Sequence, residues 1–218
     1  MLKIFIAIKE FVEFFIIYMP GKSGSKLRYL YYKNKFKACG SNIYIDVGVH
    51  FEGLDLITVG DDVHIDKYCI ISTTSSLQGN VSYKSNQNFS YPRGSISIGS
   101  YIHICQGCII MGHGGVDIAS NSVLSSGCKI YSLTNVPNDP SNPSKVISLM
   151  PYSSSYYLCS PVVLQNNVWL GLNVIVMPSV TIGANSFCTS NSLVLKSFEE
   201  NSYISGQPAV FVKRRFPK

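Results

Sequence analysis

The chain repeats an apolar position every six residues between residues 164 and 194. The fourth residue after each of these positions is usually small or branched. Neither an α-helix nor an ordinary strand has this period, but the stacked six-residue segments of a parallel β-helix do. Three segments make one triangular coil of about 18 residues, so we predict a prism with the repeating apolar side chains inside. These side chains belong to Leu164, Leu170, Val176, Ile182, Cys188 and Val194.

The same six-residue step runs through the earlier part of the chain, with interruptions. It is regular up to Ile110 and resumes at Ile118, eight residues later. The two extra residues lie around His113, which has glycines on both sides. Residues 73–95 and 131–161 are polar and follow no period, so they are predicted as loops that protrude from the prism. A long loop inside a compact repeat domain is usually functional.

The predicted fold is all-β, with three segments along the chain. Residues 1–38 form an N-terminal helical, apolar and basic segment, residues 39–196 form the β-helix, and residues 197–218 form a basic tail. Residues 1–19 are strongly apolar, but four charged residues interrupt them. The uncharged runs are far shorter than the ~20 residues that span a bilayer. We therefore expect a helix that lies on a membrane surface or packs on the prism.

Composition narrows the possible partners. Only 14% of the residues are charged, which suits a prism whose faces are buried against other copies. The net charge of +6 comes mainly from the two ends, where it could meet anionic lipid or a phosphorylated ligand. No motif that binds nucleic acid is visible, so we expect no nucleic-acid partner. Seven cysteines are an odd number, which argues against a disulfide framework and for a reducing, cytoplasmic location.

The sequence predicts no metal. Cys105 and Cys108 form a CxxC pair, but no second pair stands at zinc spacing. Cys108 also falls on the small interior position of a hexad, which explains it as a buried apolar residue. His64 and His103 each close a hexad, and we interpret them as ordinary surface residues.

Three motifs give the chain a resemblance. NNVWLG at 166–171, VMPSVTIG at 176–183 and SGQPAVFVKRR at 205–215 resemble the left-handed β-helix acyltransferases over roughly residues 43–215. The look-alikes are the bacterial O-acetyltransferases of the maltose and galactoside type and those that modify O-antigen and capsule sugars. The resemblance implies a left-handed parallel β-helix, acetyl-CoA as donor, and a sugar hydroxyl or amine as acceptor. It also implies a homotrimer with active sites between prisms.

The attack of a hydroxyl on a thioester needs a base, and histidine is the usual one near neutral pH. In the galactoside-type relatives the catalytic histidine follows the coil that ends at the long loop. The matching position here is Asn135, which cannot act as a base. We therefore predict His113, one coil below, as the general base, with its glycines letting a substrate approach, and Asn135 as the residue that positions the acceptor. Asp117, Asp139 and a backbone carbonyl remain open as the partner of His113.

The resemblance also implies where coenzyme A binds. In the family the binding groove runs between two prisms, along the later coils and the C-terminus. Trp169, the only tryptophan, belongs to this groove in the family, and packing between chains of the trimer is its alternative role. The matching positions here are Trp169, Gly171, Ser190, Asn191, Lys196, Pro208, Arg214 and Arg215.

The predicted function is an acetyl-CoA-dependent O-acetyltransferase that acts on a sugar of a bacterial surface polysaccharide or its precursor. A sugar N-acetyltransferase is one alternative. A non-catalytic trimeric scaffold is another, because the family's histidine is absent from its usual place. A carbonic anhydrase on the same fold would need three zinc-binding histidines at coil spacing, which the chain does not supply.

Overall fold

The computed structural model describes residues 2–139, 141–146 and 155–217. Two helices come first, α1 (Leu2–Tyr18) and α2 (Gly21–Tyr32). Three parallel sheets then form the faces of a prism, and strands are numbered along the chain. Sheet A consists of β1 (Ala38–Cys39), β4 (Ile57–Val59), β8 (Ile96–Ile98), β11 (Val116–Ile118), β18 (Val162–Leu164) and β21 (Thr181–Ile182).

The other two faces follow the same order. Sheet B consists of β2 (Tyr44–Ile45), β5 (Val63–Ile65), β9 (Ile102–Ile104), β12 (Val123–Leu124), β19 (Trp169–Leu170), β22 (Phe187–Cys188), β24 (Ser202–Gly206) and β25 (Ala209–Arg214). Sheet C consists of β3 (His50–Glu52), β6 (Ile70–Ser72), β10 (Ile109–Met111), β13 (Lys129–Tyr131), β20 (Ile175–Val176) and β23 (Leu193–Val194).

The chain passes through sheets A, B and C in turn, and each strand pairs with the strand one coil below. Ile110, for example, lies between Ile71 and Ile130 in sheet C. This is a left-handed parallel β-helix, so the predicted fold class is confirmed. All six apolar residues that define the period, from Leu164 to Val194, are fully buried, as expected for the inside of the prism. Burial of such a side chain stabilises the fold by roughly 1.5–3 kcal/mol.

The two insertions are more ordered than predicted. Strands β7 (Asn80–Tyr83), β14 (Leu133–Asn135) and β17 (Tyr156–Cys159) form a separate three-stranded sheet. In it β17 runs parallel to β7 and antiparallel to β14. Strands β15 (Asn138–Asp139) and β16 (Asn142–Val146) form a further pair. The sequence predicted these segments only as protruding loops and did not predict their strands, because pairing between distant polar segments leaves no period in the sequence. Residues 140 and 147–154 lie outside the described residues.

The N-terminal helices close the lower end of the prism. Tyr32 and Phe36 pack against Phe51 of the first coil, with ring centroids 5.0 and 5.2 Å apart. Arg28 of α2 is fully buried and holds α1 in place. Its side chain donates to the Ile45 carbonyl at 2.9 Å and, through Nη1, to carbonyls at the end of α1.

The C-terminal segment covers the upper end. Strand β24 pairs in parallel with β22 and so continues sheet B. The chain then reverses at Gln207-Pro208, and β25 returns antiparallel along β24. Sheet B therefore ends in an antiparallel strand that carries Lys213 and Arg214. The division of the chain into three segments stays a prediction.

Candidate functional site

His113 lies at one corner of the prism, between β10 of sheet C and β11 of sheet A. We name the C-to-A edge the loop corner, because both insertions leave the prism along it, one between β6 and β8 and the other between β13 and β18. His113 and the second insertion are thus on the same edge and one coil apart. This is the relation that the spacing in the sequence led us to expect.

The glycines around His113 serve the packing of the chain itself. A Cβ at Gly114 would lie 2.3 Å from the Ser132 carbonyl oxygen, and a Cβ at Gly115 would lie 2.5 Å from the Phe89 ring. Gly115 also has a φ of +111°, which disfavours other residues. The interpretation that these glycines open the backbone to a substrate is therefore wrong, because the two insertions already occupy that space.

The environment of His113 favours the neutral imidazole. The ring is partly buried, and its Nδ1 atom is buried with no hydrogen-bond partner among the described residues. Burial lowers the pKa of His113 from its ordinary value of 6.5, and the Glu52 carboxylate only partly opposes this shift. Glu52 in turn accepts a hydrogen bond from the Ser72 hydroxyl. A neutral imidazole with a free nitrogen is the form that a general base requires.

None of the three partners expected for His113 is present in the described part of the chain. Asp139 instead accepts hydrogen bonds from Ser141 and Tyr156, at 2.6 and 3.0 Å. Asp117 interacts with Ser97. No backbone carbonyl accepts from Nδ1 of His113. The carboxylate that does influence His113 is Glu52, two coils earlier in the prism, and no local pattern connects the two residues.

Asn135 lies at the same edge as His113 but outside the prism. It is exposed on β14, opposite Tyr157 of β17. Asn135 and His113 share no hydrogen bond among the described residues. They could therefore act together only if both contacted the same bound acceptor. The role of Asn135 in positioning the acceptor stays a prediction.

A groove runs along the outer face of sheet A. Three cavities of about 360, 420 and 420 Å³ follow one another there, and neighbouring cavities share lining residues. The first contains Asp117, the second Thr181, and the third Lys196 and Arg214. We name these three cavities together the sheet A groove. It rises over several coils of ~4.8 Å each, which suits a long, extended ligand.

The first insertion forms one wall of the sheet A groove. Asn86 Nδ2 donates to Thr181 Oγ1 at 3.1 Å, and Asn88 Nδ2 donates to the same atom at 3.2 Å. Asn88 and Gln165 line both of the lower cavities. These residues could not be predicted from the sequence, because the sequence of a polar loop does not indicate which coil the loop will cover. For Thr181 and Gln165, the sequence predicted only that their side chains face outward from the prism.

Asp117 is an ionisable group on the floor of this groove. It alternates with the buried Val116 and Ile118 in β11, so its side chain faces outward. Burial under the first insertion raises the pKa of its carboxyl, and the contact with Ser97 only partly opposes this. The groove therefore contains a carboxyl group that gains a proton more readily than an exposed one.

The predicted coenzyme A residues do not form one site on a single chain. Lys196 and Arg214 line the upper cavity of the sheet A groove together. Arg215 donates through Nη1 to the carbonyls of Asn167 and Ser186, at 3.1 and 3.2 Å, and so ties the tail to the edge between sheets A and B.

The other predicted positions lie at the edge between sheets B and C. A Cβ at Gly171 would lie 2.7 Å from the Ser190 backbone nitrogen, so this glycine is needed for coil stacking. Ser190 Oγ accepts from the Leu172 N–H at 3.1 Å. The Asn191 carbonyl accepts from Gln207, which precedes Pro208. These contacts are structural, and a role in coenzyme binding stays a prediction for an assembly of several chains.

Trp169 stands on the outer face of sheet B, away from the sheet A groove. Its Nε1–H donates to Ser125 Oγ at 3.0 Å, and its ring packs against Phe187 with centroids 5.1 Å apart. Phe187 packs in the same way on Tyr203, at 5.2 Å. The indole is nevertheless 45% exposed, so the column leaves an aromatic surface for a ligand or another copy.

Comparison with known proteins shows which enzymes the chain is similar to in sequence and in fold. No protein-family model matches the chain. A dTDP-4-amino-4,6-dideoxy-D-glucose acyltransferase of Escherichia coli is 29% identical over 185 residues, which are 84% of each chain. The crystal structure of a mutant of AntD, an N-acyltransferase from Bacillus cereus, in complex with dTDP-4-amino-4,6-dideoxyglucose and coenzyme A, is similar with a TM-score of 0.69. It is 22% identical and covers 87% of this chain and 90% of that one. The chain is therefore similar to an acyltransferase that acts on a nucleotide-linked sugar, and it shares the fold of AntD.

A second type of relative matches the chain over a shorter stretch. A galactoside O-acetyltransferase of Lactococcus lactis is 46% identical over 54 residues, which are 25% of this chain and 26% of the relative. By name, AntD is an N-acyltransferase, whereas the Lactococcus lactis protein is an O-acetyltransferase. These similarities therefore leave open whether the acceptor of this chain is an amine or a hydroxyl.

Proposed function

We propose that the protein transfers an acetyl group from acetyl-CoA to a sugar. The observation that carries this proposal is the sheet A groove. Its upper end holds Lys196 and Arg214, which suit the phosphates of a coenzyme, and its lower end reaches Asp117 on the strand that follows His113. His113 and Lys196 lie on the same edge, three coils of ~4.8 Å or about 14 Å apart, which suits an extended thioester. AntD, which has a similar fold, binds both coenzyme A and a sugar nucleotide, and this supports the same two kinds of substrate for this protein.

The chemistry uses the neutral state of His113. The acceptor atom attacks the thioester carbonyl, and His113 removes the proton that the acceptor loses. The tetrahedral intermediate then breaks its carbon–sulfur bond and releases the coenzyme thiol, which takes up the proton. Because burial lowers the pKa of His113, the imidazole is free to accept a proton at neutral pH.

We infer that the acceptor is the amine of a nucleotide-linked amino sugar. The relative that matches 84% of the chain acts on such a sugar. Asn135 also stands where the galactoside-type relatives carry their histidine. A neutral amine has a free lone pair and attacks before it loses a proton, whereas a hydroxyl must lose its proton during the attack. Loss of that histidine is therefore easier to reconcile with an amine.

A hydroxyl acceptor is the second candidate, as the sequence analysis predicted. The match to a galactoside O-acetyltransferase supports it. In that reaction His113 alone would remove the proton from the attacking hydroxyl. The rate of transfer would therefore depend on His113 more strongly than it does with an amine. Acylation of a surface-polysaccharide sugar or its precursor fits either acceptor.

Matched acceptors separate these possibilities. We expect purified protein with acetyl-CoA to release free thiol on addition of dTDP-4-amino-4,6-dideoxyglucose. The control is the same nucleotide sugar with a hydroxyl in place of the amine, for which kcat/KM should be at least about 100-fold lower, because a site built for one polar group rejects its replacement. Equal or faster turnover of the hydroxyl sugar, or of a galactoside, would favour O-acetylation. No thiol release with any sugar would reject the proposed donor and reaction.

Charge reversal at Lys196 tests the upper end of the groove. We expect Lys196→Glu to raise KM for acetyl-CoA roughly two- to fivefold with little change in kcat, because an exposed charge pair is worth at most about 1 kcal/mol. Lys37→Glu, an exposed lysine at the other end of the prism, is the matched control. If both variants raise KM equally, or neither does, Lys196 does not contact the coenzyme.

A homotrimer and a membrane contact remain proposals of the same kind. The spread of the predicted coenzyme residues over different edges supports a site shared between neighbouring prisms, and light scattering at about three times 24.0 kDa would agree with a trimer. No helix among the described residues is long and apolar enough to cross a membrane. Helix α1 nevertheless exposes six large apolar side chains, so we propose that it lies on a membrane surface. Liposome flotation that is unchanged by deletion of residues 1–19 would exclude this contact.

A further inference from the structure

A compact cluster of metal-binding side chains lies on the outer face of sheet B. His64 of β5 and His103 of β9 are register partners on adjacent strands, with ring centroids 5.0 Å apart. Both rings turn Nε2 toward Asp66. The Nε2 of His64 lies 3.1 Å from Oδ1, and the Nε2 of His103 lies 3.1 Å from Oδ2. The Cys105 sulfur lies 3.8 Å from the Nε2 of His103.

The sequence places all four side chains on the same face. His64-Ile65-Asp66 and His103-Ile104-Cys105 are two copies of one pattern on adjacent coils. The central isoleucines are fully buried, so the flanking residues point outward together. The result is a square, with two imidazoles in one row and a carboxylate and a thiol in the next.

The spacing of the donor atoms matches a tetrahedral ion. One ligand atom each from His64, Asp66 and His103 lies within 4.8 Å of the others. Zinc bonds of ~2.0–2.1 Å to nitrogen or oxygen and ~2.3 Å to sulfur put ligand atoms roughly 3.3–3.6 Å apart in a tetrahedron. The 3.1 Å distances among His64, Asp66 and His103 therefore need only small side-chain movements to receive an ion. Cys105 lies outside the group of atoms that are all within 4.8 Å of one another, so its side chain has to turn toward the ion to become the fourth ligand.

We propose that His64, Asp66, His103 and Cys105 form a binding site for Zn²⁺. Two imidazoles, a carboxylate and a thiolate are a donor set that suits zinc better than magnesium or calcium, which prefer oxygen ligands. Four protein ligands leave no open position, so the site is structural rather than catalytic. It lies on sheet B, whereas the groove lies on sheet A, so it does not depend on the proposed function.

The proposed site differs from two interpretations made from the sequence. His64 and His103 were interpreted as ordinary surface residues, and Cys105 was considered only as half of a CxxC pair. Cys108 is fully buried inside the prism and cannot join Cys105 at one ion. The separation of 39 positions between the two histidines hides their pairing, because one coil contains the first insertion. Only the register of the strands shows that they are neighbours.

Cobalt tests the site directly, because Co²⁺ takes the place of zinc and its spectrum reports the ligands. Full-length protein, first freed of metal with a chelator, is titrated with Co²⁺, and Zn²⁺ is then added as competitor. We expect one equivalent to bind, with the visible bands of tetrahedral Co²⁺ and a thiolate-to-cobalt charge-transfer band, and zinc to abolish both. Zinc should also raise the Tm of the protein.

Variants identify the ligands. His103→Ala and Asp66→Asn should each abolish the tetrahedral spectrum, whereas Cys105→Ser should remove the charge-transfer band and leave weaker visible bands. His50→Ala is the control, since His50 is a similarly exposed histidine that lies 3.6 Å from Glu52. It should bind as the wild type does. No saturable binding by the wild type, or unchanged binding by His103→Ala and Asp66→Asn with circular dichroism showing all proteins folded, would overturn the proposal.

Discussion

Replacement of His113 by alanine is expected to lower kcat for acetyl transfer by about 10²- to 10⁴-fold. The reason is that His113 is the histidine at the loop corner and burial lowers its pKa, so its imidazole is neutral and can accept a proton. This loss corresponds to about 2.7–5.4 kcal/mol of transition-state stabilisation. The measurement is single-turnover thiol release at saturating acetyl-CoA, with the Tm recorded for each variant.

Two controls make this result specific. His50→Ala removes a histidine next to Glu52 but leaves the loop corner intact, so its kcat should stay near that of the wild type. His113→Asn keeps a polar side chain of similar size but cannot act as a base, so it should be as slow as the alanine variant. A His113→Ala protein that is folded and turns over at the wild-type rate would exclude His113 as the base.

The pH profile gives a second readout of the same group. A general base is active when neutral, and burial lowers the pKa of His113 below 6.5. The rate should therefore hold at pH 6.5 and decline only under more acidic conditions. In His113→Ala this acidic decline should disappear from the residual rate. A decline centred above pH 6.5 in the wild type would point to a different titrating group.

The second large effect is expected on stability, from Arg28→Met. Arg28 is fully buried and donates to carbonyls of Ile45, Ile16 and Met19, with the Met19 bond at 2.7 Å. Its positive charge also lies at the C-terminal end of α1, where a helix favours cations. Methionine fills most of the volume but leaves these buried carbonyls without donors. We expect the free energy of unfolding to fall by about 3–5 kcal/mol.

Denaturant unfolding and limited proteolysis measure this change. Cleavage should appear first between α1 and the first coil, because Arg28 contributes several of the hydrogen bonds that join them. Lys26→Met is the matched control, since Lys26 is an exposed cation on the same helix. Arg28→Lys should be intermediate, because lysine keeps the charge but cannot reach several carbonyls in a fixed geometry. Equal stability of the Arg28→Met and Lys26→Met proteins would show that the buried guanidinium does not anchor α1.

The sequence predicted those features of the molecule that repeat along the chain. The six-residue step identified the prism and its interior, because every coil places the same side-chain type at the same position. Leu164 and Ile182 could be assigned to the core from sequence alone. Pairing between β7 and β17 could not, since Val81 and its partner Tyr157 are 76 positions apart in the sequence. Polar insertions have no period from which such a register can be counted.

The candidate site was predictable only in part for the same reason. The placement of His113 and Asn135 on one edge followed from counting coils. The influence of Glu52 on His113, and the wall that Asn88 builds over Thr181, depend on how insertions and distant coils fold back. The neighbouring histidines of sheet B were missed because the first insertion lengthens one coil and obscures the count.

The reversal of the chain at Gln207-Pro208 has a consequence for solubility. A stack of parallel strands leaves unpaired backbone groups at its last coil, and a second molecule could continue the stack there without limit. Strand β25 instead runs the opposite way and carries Lys213 and Arg214 along that rim. An incoming parallel coil would meet the wrong hydrogen-bonding direction and a row of like charges. The hairpin thus disfavours head-to-tail joining of columns along the edge of sheet B.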